Sequence, residues 1–157
     1  MRTGLQTIVA RFAGASALGD AAAVAARLLV AYLFVLEGWG KIGSYADVQS
    51  YMAQFGVAPW LLPPVIALEF GGGLALALGV ATRPSALALG IFSLLAALIF
   101  HQGVDDSEAL EFRKDFALAG GLFALAALGG GACSLDALFA RRLMPALARS
   151  RADAVPR

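Results

Sequence analysis

The chain has 157 residues, of which 60% are hydrophobic and only 15% charged, with a mean hydropathy of +0.77 and a formal net charge of +1. That balance is too apolar for a water-soluble domain of this size and describes a polytopic, all-α membrane protein. The single cysteine, Cys133, excludes an intrachain disulfide and a Cys-x-x-Cys redox centre, and one His and three Met supply a transition-metal cage poorly. No metal, covalent cofactor or nucleic-acid partner is expected.

In chain order, Leu5, Ile8, Val9 and Phe12 recur at helical spacing beside Arg2 and Arg11, which fits a short helix on a membrane surface or an unstructured tail. Asp20 stands where an N-cap would open the first spanning helix. The first long apolar run begins only after about twenty residues with no cleavage-like site behind it, so it is expected to be retained. Four segments approach the roughly 20 residues a span requires: 21–42, 61–81, 84–100 and 116–133. They predict one membrane domain over 1–157, a four-helix bundle with surface segments at 1–19 and 135–157.

The first span carries a lone carboxylate, Glu37, near its end, and Arg27 early enough to snorkel to the near interface. After Lys41, the stretch from Ser44 to Gly56 reads as a short helix with an apolar stripe of Val48, Tyr51, Met52 and Phe55, lying across one mouth of the bundle. Pro59 and Trp60 follow at an anchoring level. The second span contains Glu69-Phe-Gly-Gly-Gly73, whose Gly72 and Gly73 permit close helix contact. The third carries Ala86, Gly90, Ser93 and Ala97 on one seam, and the fourth Gly120, Ala124, Ala127 and Gly131, predicting a tight, left-handed bundle. Cys133 reads as a small apolar filler. Ser134 can cap a surface helix bearing Leu138, Phe139, Leu143 and Leu147 until Pro145 disturbs it.

Four spans place both termini on one side. Nine basic residues then fall on the terminal side and three, Lys41, Arg113 and Lys114, on the other, so the positive-inside rule makes both termini cytoplasmic. Net charge divides into +6 inside and −5 outside. Arg83, beside Pro84, satisfies that rule or binds a lipid headgroup, and Arg141 and Arg142 face anionic lipid.

This topology brings Glu37, Lys41, Glu69, His101, Arg113 and Lys114 into the outer third of the bilayer. At about 1.5 Å per residue, Glu37 lies roughly 7 Å and Glu69 roughly 12 Å below their helix ends. Lys41 is one turn from Glu37, whereas Glu69 is deeper and has no partner nearby in sequence. The group is either a salt-bridged plug that fixes helix register or a ligand or proton site, with Glu37, Glu69 and His101 as catalytic candidates and Lys41, Glu69, His101, Arg113 and Lys114 as ligand-binding ones.

Arg27, Glu37-Gly-Trp-Gly-Lys41, Glu69-x-x-Gly-Gly, Gly79 with Arg83, His101 and Lys114 at the start of the fourth span together resemble the DoxX family, from about Arg27 to Asp136. Members often have Lys-Asn where this chain has Lys114-Asp115, so Lys114 is open to local pairing. The resemblance implies a small four-helix protein of the bacterial inner membrane, similar to the small subunit of thiosulfate:quinone oxidoreductase. Three functions follow as expectations: a quinone-associated redox subunit, a structural subunit that docks a protein partner or a second copy, and a transporter of a small solute or proton. Membrane lipids are the expected surroundings of all three.

Overall fold

The computed structural model describes residues 2–101 and 106–143, with side chains described from residue 17 onward. Six helices follow in order: α1 (Arg2–Gly43), α2 (Tyr45–Gln54), α3 (Pro59–Leu78), α4 (Thr82–Phe100), α5 (Asp106–Leu128) and α6 (residues 135–143). No strand occurs among the described residues, so the chain is an all-α membrane protein. Ala17–Gly43, Pro59–Leu78 and Thr82–Phe100 are each long and apolar enough to cross a bilayer. α5 has the length, 23 residues, but its first half carries Glu111, Arg113, Lys114 and Asp115.

Element boundaries differ from the sequence reading for local reasons. α1 runs unbroken through Asp20, which therefore caps nothing on α1; its carboxylate accepts the Ala132 N–H at 2.7 Å. The side chains of Arg2, Leu5, Ile8, Val9, Arg11 and Phe12 lie outside the described residues. α3 stops at Leu78, short of residue 81, because Gly79 takes φ +69° and closes a Schellman turn, Gly79 N–H to Leu76 O and Val80 N–H to Ala75 O. α5 begins ten residues before the expected 116 and ends at Leu128, where Gly129 and Gly131 adopt φ of +86° and +75°. Ser134 does cap α6, its Oγ accepting the Ala137 N–H. Pro145 and Leu147 lie outside the described residues.

The four long helices close a ring in which α1 packs on α3, α3 on α4, α4 on α5 and α5 back on α1, the last seam being the sparsest. Lipid offers no hydrophobic drive between helices, so close backbone approach supplies the cohesion. A Cβ on Gly38 would lie 2.7 Å from the Phe70 nitrogen, and one on Gly73 would lie 3.1 Å from that of Val35, which fixes the α1–α3 crossing. On α4 the predicted seam is the buried one: Ala86, Gly90, Ser93 and Ala97 all face inward. On α5 it is not. Gly120, Ala124 and Ala127 are exposed, and Asp115, Ala119, Leu122 and Leu125 are buried, because Leu122 and Phe123 fill the gap at Gly90. Leu62, Leu76, Leu89 and Leu122 complete the core, while Leu28, Leu29, Tyr32, Leu36 and Leu95 face outward as lipid-facing side chains do.

Candidate functional site

Charged side chains gather at the two ends of this ring. The end near Gly43 and His101 is the acidic end, and the end near Leu78 and Leu128 is the arginine end.

At the acidic end, Glu69 projects from a π-helical turn, Ala67–Gly71, set into α3. Such a turn spoils the regular hydrogen-bond ladder and recurs at functional sites. The Glu69 side chain is 4% exposed, and Lys41 from α1 sits astride its carboxylate, with Nζ 2.9 Å from Oε1 and 2.8 Å from Oε2. Only the Oε1 contact has hydrogen-bond geometry, so Oε2 is left buried without one. Glu37, one turn before Lys41, lies 3.4 Å from the same ammonium with its side chain 49% exposed. The expected order is thus reversed. Local spacing favoured Glu37 as the partner of Lys41, but the α1–α3 crossing at Gly38 and Gly73 brings the deeper carboxylate to it.

His101 stands at the C-terminus of α4 and reaches α5 on both sides of its ring. Nδ1 is 3.1 Å from Glu108 Oε2, and Nε2 is 3.8 Å from Asp115 Oδ2. Glu108 and Asp115 are seven residues apart, two turns of one helix face. Lys114 pairs with Glu111 on its own helix rather than with Asp115. Asp115 is buried, and Glu37 lies near enough to act electrostatically on both Lys114 and Asp115. Arg113 was expected in this cluster; its side chain is exposed instead, because Asp115, two residues on, claims the inward face.

The short helix α2 meets this end through its aromatic side chains. Tyr51 stacks on Phe100 at 5.6 Å and Phe55 meets Phe100 edge-on at 5.3 Å, directly before His101. Burial, then the Glu108 carboxylate, push the Tyr51 hydroxyl above its usual range, so it stays a neutral donor. Tyr51, Glu108 and Asp115 were not singled out as site residues from the sequence. The i, i+7 spacing of the two acids was the available signal.

At the arginine end, Arg27 does not snorkel. It is 2% exposed, and its guanidinium donates to the carbonyls of Leu76 at 3.3 Å, Ala77 at 3.4 Å and Cys133 at 2.9 Å. The first two are carbonyls of the last turn of α3, where a cation also suits the helix dipole. Asp136 accepts the N–H groups of Ala81 and Thr82, each at 2.8 Å, and so caps α4 from a distant segment. Burial works against its charge, but the Thr82 and Ala81 N–H groups, and then Arg27, outweigh it, holding the carboxyl below the usual range. Cys133 is exposed and contributes its carbonyl, not an apolar filling. A shallow depression of about 620 Å³ opens beside Arg83, the Gly129–Gly131 loop and Asp136. Arg83, Arg141 and Arg142 are exposed, and Arg141 reaches the Ala132 carbonyl at 3.4 Å.

The DoxX family model matches residues 22–102. The chain is 44% identical over 126 residues to the inner membrane protein YqjF of Escherichia coli K12, covering 80% of this chain and 97% of that protein. It is 31% identical over 119 residues to the inner membrane protein YphA of the same organism, covering 71% and 85%. This chain belongs to the DoxX family. No solved structure matches it. The stretch this DoxX protein shares with the family model holds Arg27, Glu37, Lys41, Glu69, Arg83 and His101, whereas Glu108, Glu111, Lys114, Asp115 and Asp136 come from beyond it.

Proposed function

We propose that this DoxX protein is a subunit of a redox assembly in the bacterial inner membrane, with both termini cytoplasmic, that binds a lipid-soluble carrier of the quinone class at its acidic end. One observation carries the reading. Five carboxylates, Glu37, Glu69, Glu108, Glu111 and Asp115, meet two ammonium groups, Lys41 and Lys114, and one imidazole. That leaves at least two negative charges in excess even with His101 charged. Surplus negative charge around the two buried carboxylates, Glu69 and Asp115, favours uptake of protons or of hydrogen-bond donors.

The residues present fit such a carrier. Lys41 and His101 offer donors, Glu69 and Asp115 acceptors, and the sparse α1–α5 seam beside half-exposed Glu37 faces lipid. When bound, a quinone supplies two-electron chemistry coupled to protons. Lys41 orients a carbonyl oxygen, Glu69 gives or takes a proton, and Tyr51 with Phe55 limits water at the mouth. No side chain of this sequence stores electrons, so a partner protein supplies or receives them. Arg83, Arg141 and Arg142 hold the opposite end against anionic headgroups.

The engagement of Glu69 by Lys41 favours a second reading, a structural plug in a non-catalytic docking subunit. Two variants separate the readings, compared in one detergent for thermal stability and quinone-analogue binding. Lys41→Met strands a buried carboxylate and lowers stability by about 3 kcal/mol. Lys41→Met with Glu69→Gln removes the pair together and restores most of that loss, yet weakens analogue binding at least about tenfold. A double variant that binds the analogue as tightly as the unaltered protein leaves only the plug.

A further inference from the structure

We infer that His101 is a proton relay joining the surface carboxylate Glu108 to the buried carboxylate Asp115. The inference does not depend on what the acidic end binds.

The geometry has a direction. Glu108 lies in the first turn of α5 with its side chain 32% exposed, while Asp115 lies two turns deeper at 13%. The ring of His101 spans the interval between them. Its Nδ1 is at hydrogen-bond distance from Glu108, and its Nε2 is 3.8 Å from Asp115, a gap that a small rotation or one water closes. A chain of titratable groups therefore steps from the partly exposed Glu108, through one imidazole, to the buried Asp115.

The step balances without a further reagent. A proton from water arrives on Glu108, Nδ1 takes it, and the proton already on Nε2 passes to Asp115 Oδ2. The imidazole is left as its other tautomer and Glu108 as a carboxylate, and exchange of the ring protons with water resets it. Histidine suits the task because its two ring nitrogens face different partners, so one can accept a proton while the other gives one up.

The surroundings keep the ring in place. His101 ends α4, its N–H bonded to the Ala97 carbonyl at 3.1 Å, and α4 packs closely on α5. Tyr51 of α2 stacks on the adjacent Phe100. Glu108 and Asp115 face the ring itself; the charged groups that act in turn on these two acids are Tyr51 from α2, Glu111 and Lys114 from α5, Glu37 from α1 and Glu69 from α3.

The test needs no ligand. After a rapid pH drop on the purified protein in detergent, infrared difference spectra follow the carboxylic-acid band of Asp115, identified by its loss in Asp115→Asn. His101→Gln should reach the same final band roughly 100-fold more slowly, and Glu108→Gln should slow it less. An unchanged rate in His101→Gln, or no Asp115 band over the range where the protein stays folded, overturns the relay. Should His101→Gln fail to fold, the unaltered protein still decides. This chain has one histidine, so nitrogen NMR of labelled histidine reports His101 alone. A neutral ring protonated at Nε2, whose titration moves in Asp115→Asn, supports the relay, and a ring indifferent to Asp115 rules it out.

Discussion

At the arginine end Arg27, Asp20 and Asp136 all bond main-chain groups, whereas at the acidic end Lys41, His101 and Lys114 meet other titratable side chains. Main-chain partners do not titrate, so the first arrangement is fixed over a wide range of pH and ties five segments together: α1, the end of α3, the start of α4, the loop before α6 and α6 itself. Side-chain partners gain and lose protons, so the second can change its charge without breaking the fold. The clasp of carbonyls and N–H groups is the scaffold end; the cluster with more acids than bases is the end at which we propose the chemistry.

The largest expected effect lies in the clasp. Arg27→Met leaves the Leu76, Ala77 and Cys133 carbonyls without their buried donor and should cost about 3 kcal/mol, read as a loss of thermal stability in detergent. If the protein melted normally while analogue binding failed, Arg27 would belong to the chemistry and the division between the ends would collapse.

A smaller effect is expected at Asp136. Asp136→Ala removes the acceptor for two N–H groups and should cost about 1 kcal/mol. Its pKa is depressed in the folded state, so its contribution is complete above the unfolded value of about 3.9 and is lost as pH falls through the lower folded value. The unaltered protein should therefore lose stability on acidification across that window, and Asp136→Asn should flatten this part of the profile. An identical acid profile in the two proteins would show that the carboxylate charge is not what holds the clasp.

The smallest effect is a gain. Ala81 adopts φ +46°, a left-handed conformation that costs an L-residue about 1–2 kcal/mol. Glycine removes that strain at an entropic cost of about 0.5–1 kcal/mol, so Ala81→Gly should raise stability by about 0.5 kcal/mol. A drop in melting temperature would mean that the Ala81 methyl group makes packing contacts worth more than the strain.

Composition and apolar run length were enough to establish an all-α membrane protein and to place, within a few residues, the three helices long and apolar enough to cross a bilayer, because that is a requirement each segment must meet alone. The Ala86-Gly90-Ser93-Ala97 seam was legible for the same reason: on one helix, helical spacing puts these residues on one face. The identity of the charged residues was also readable, since an acid or base in so apolar a chain stands out. Their long-range partners were not. The i, i+4 pairing of Lys41 with Glu37 is made, yet the same ammonium also takes Glu69, and Arg27 and Asp20, which spacing assigned to the interface and to their own helix, bond the carbonyls at 76, 77 and 133 and the Ala132 N–H. Those pairings depend on how the helices are rotated and where they cross. Backbone contact at Gly38 and Gly73 and the wedge of Leu122 and Phe123 against Gly90 set that rotation, a property of packed surfaces that no single helix carries in its own sequence.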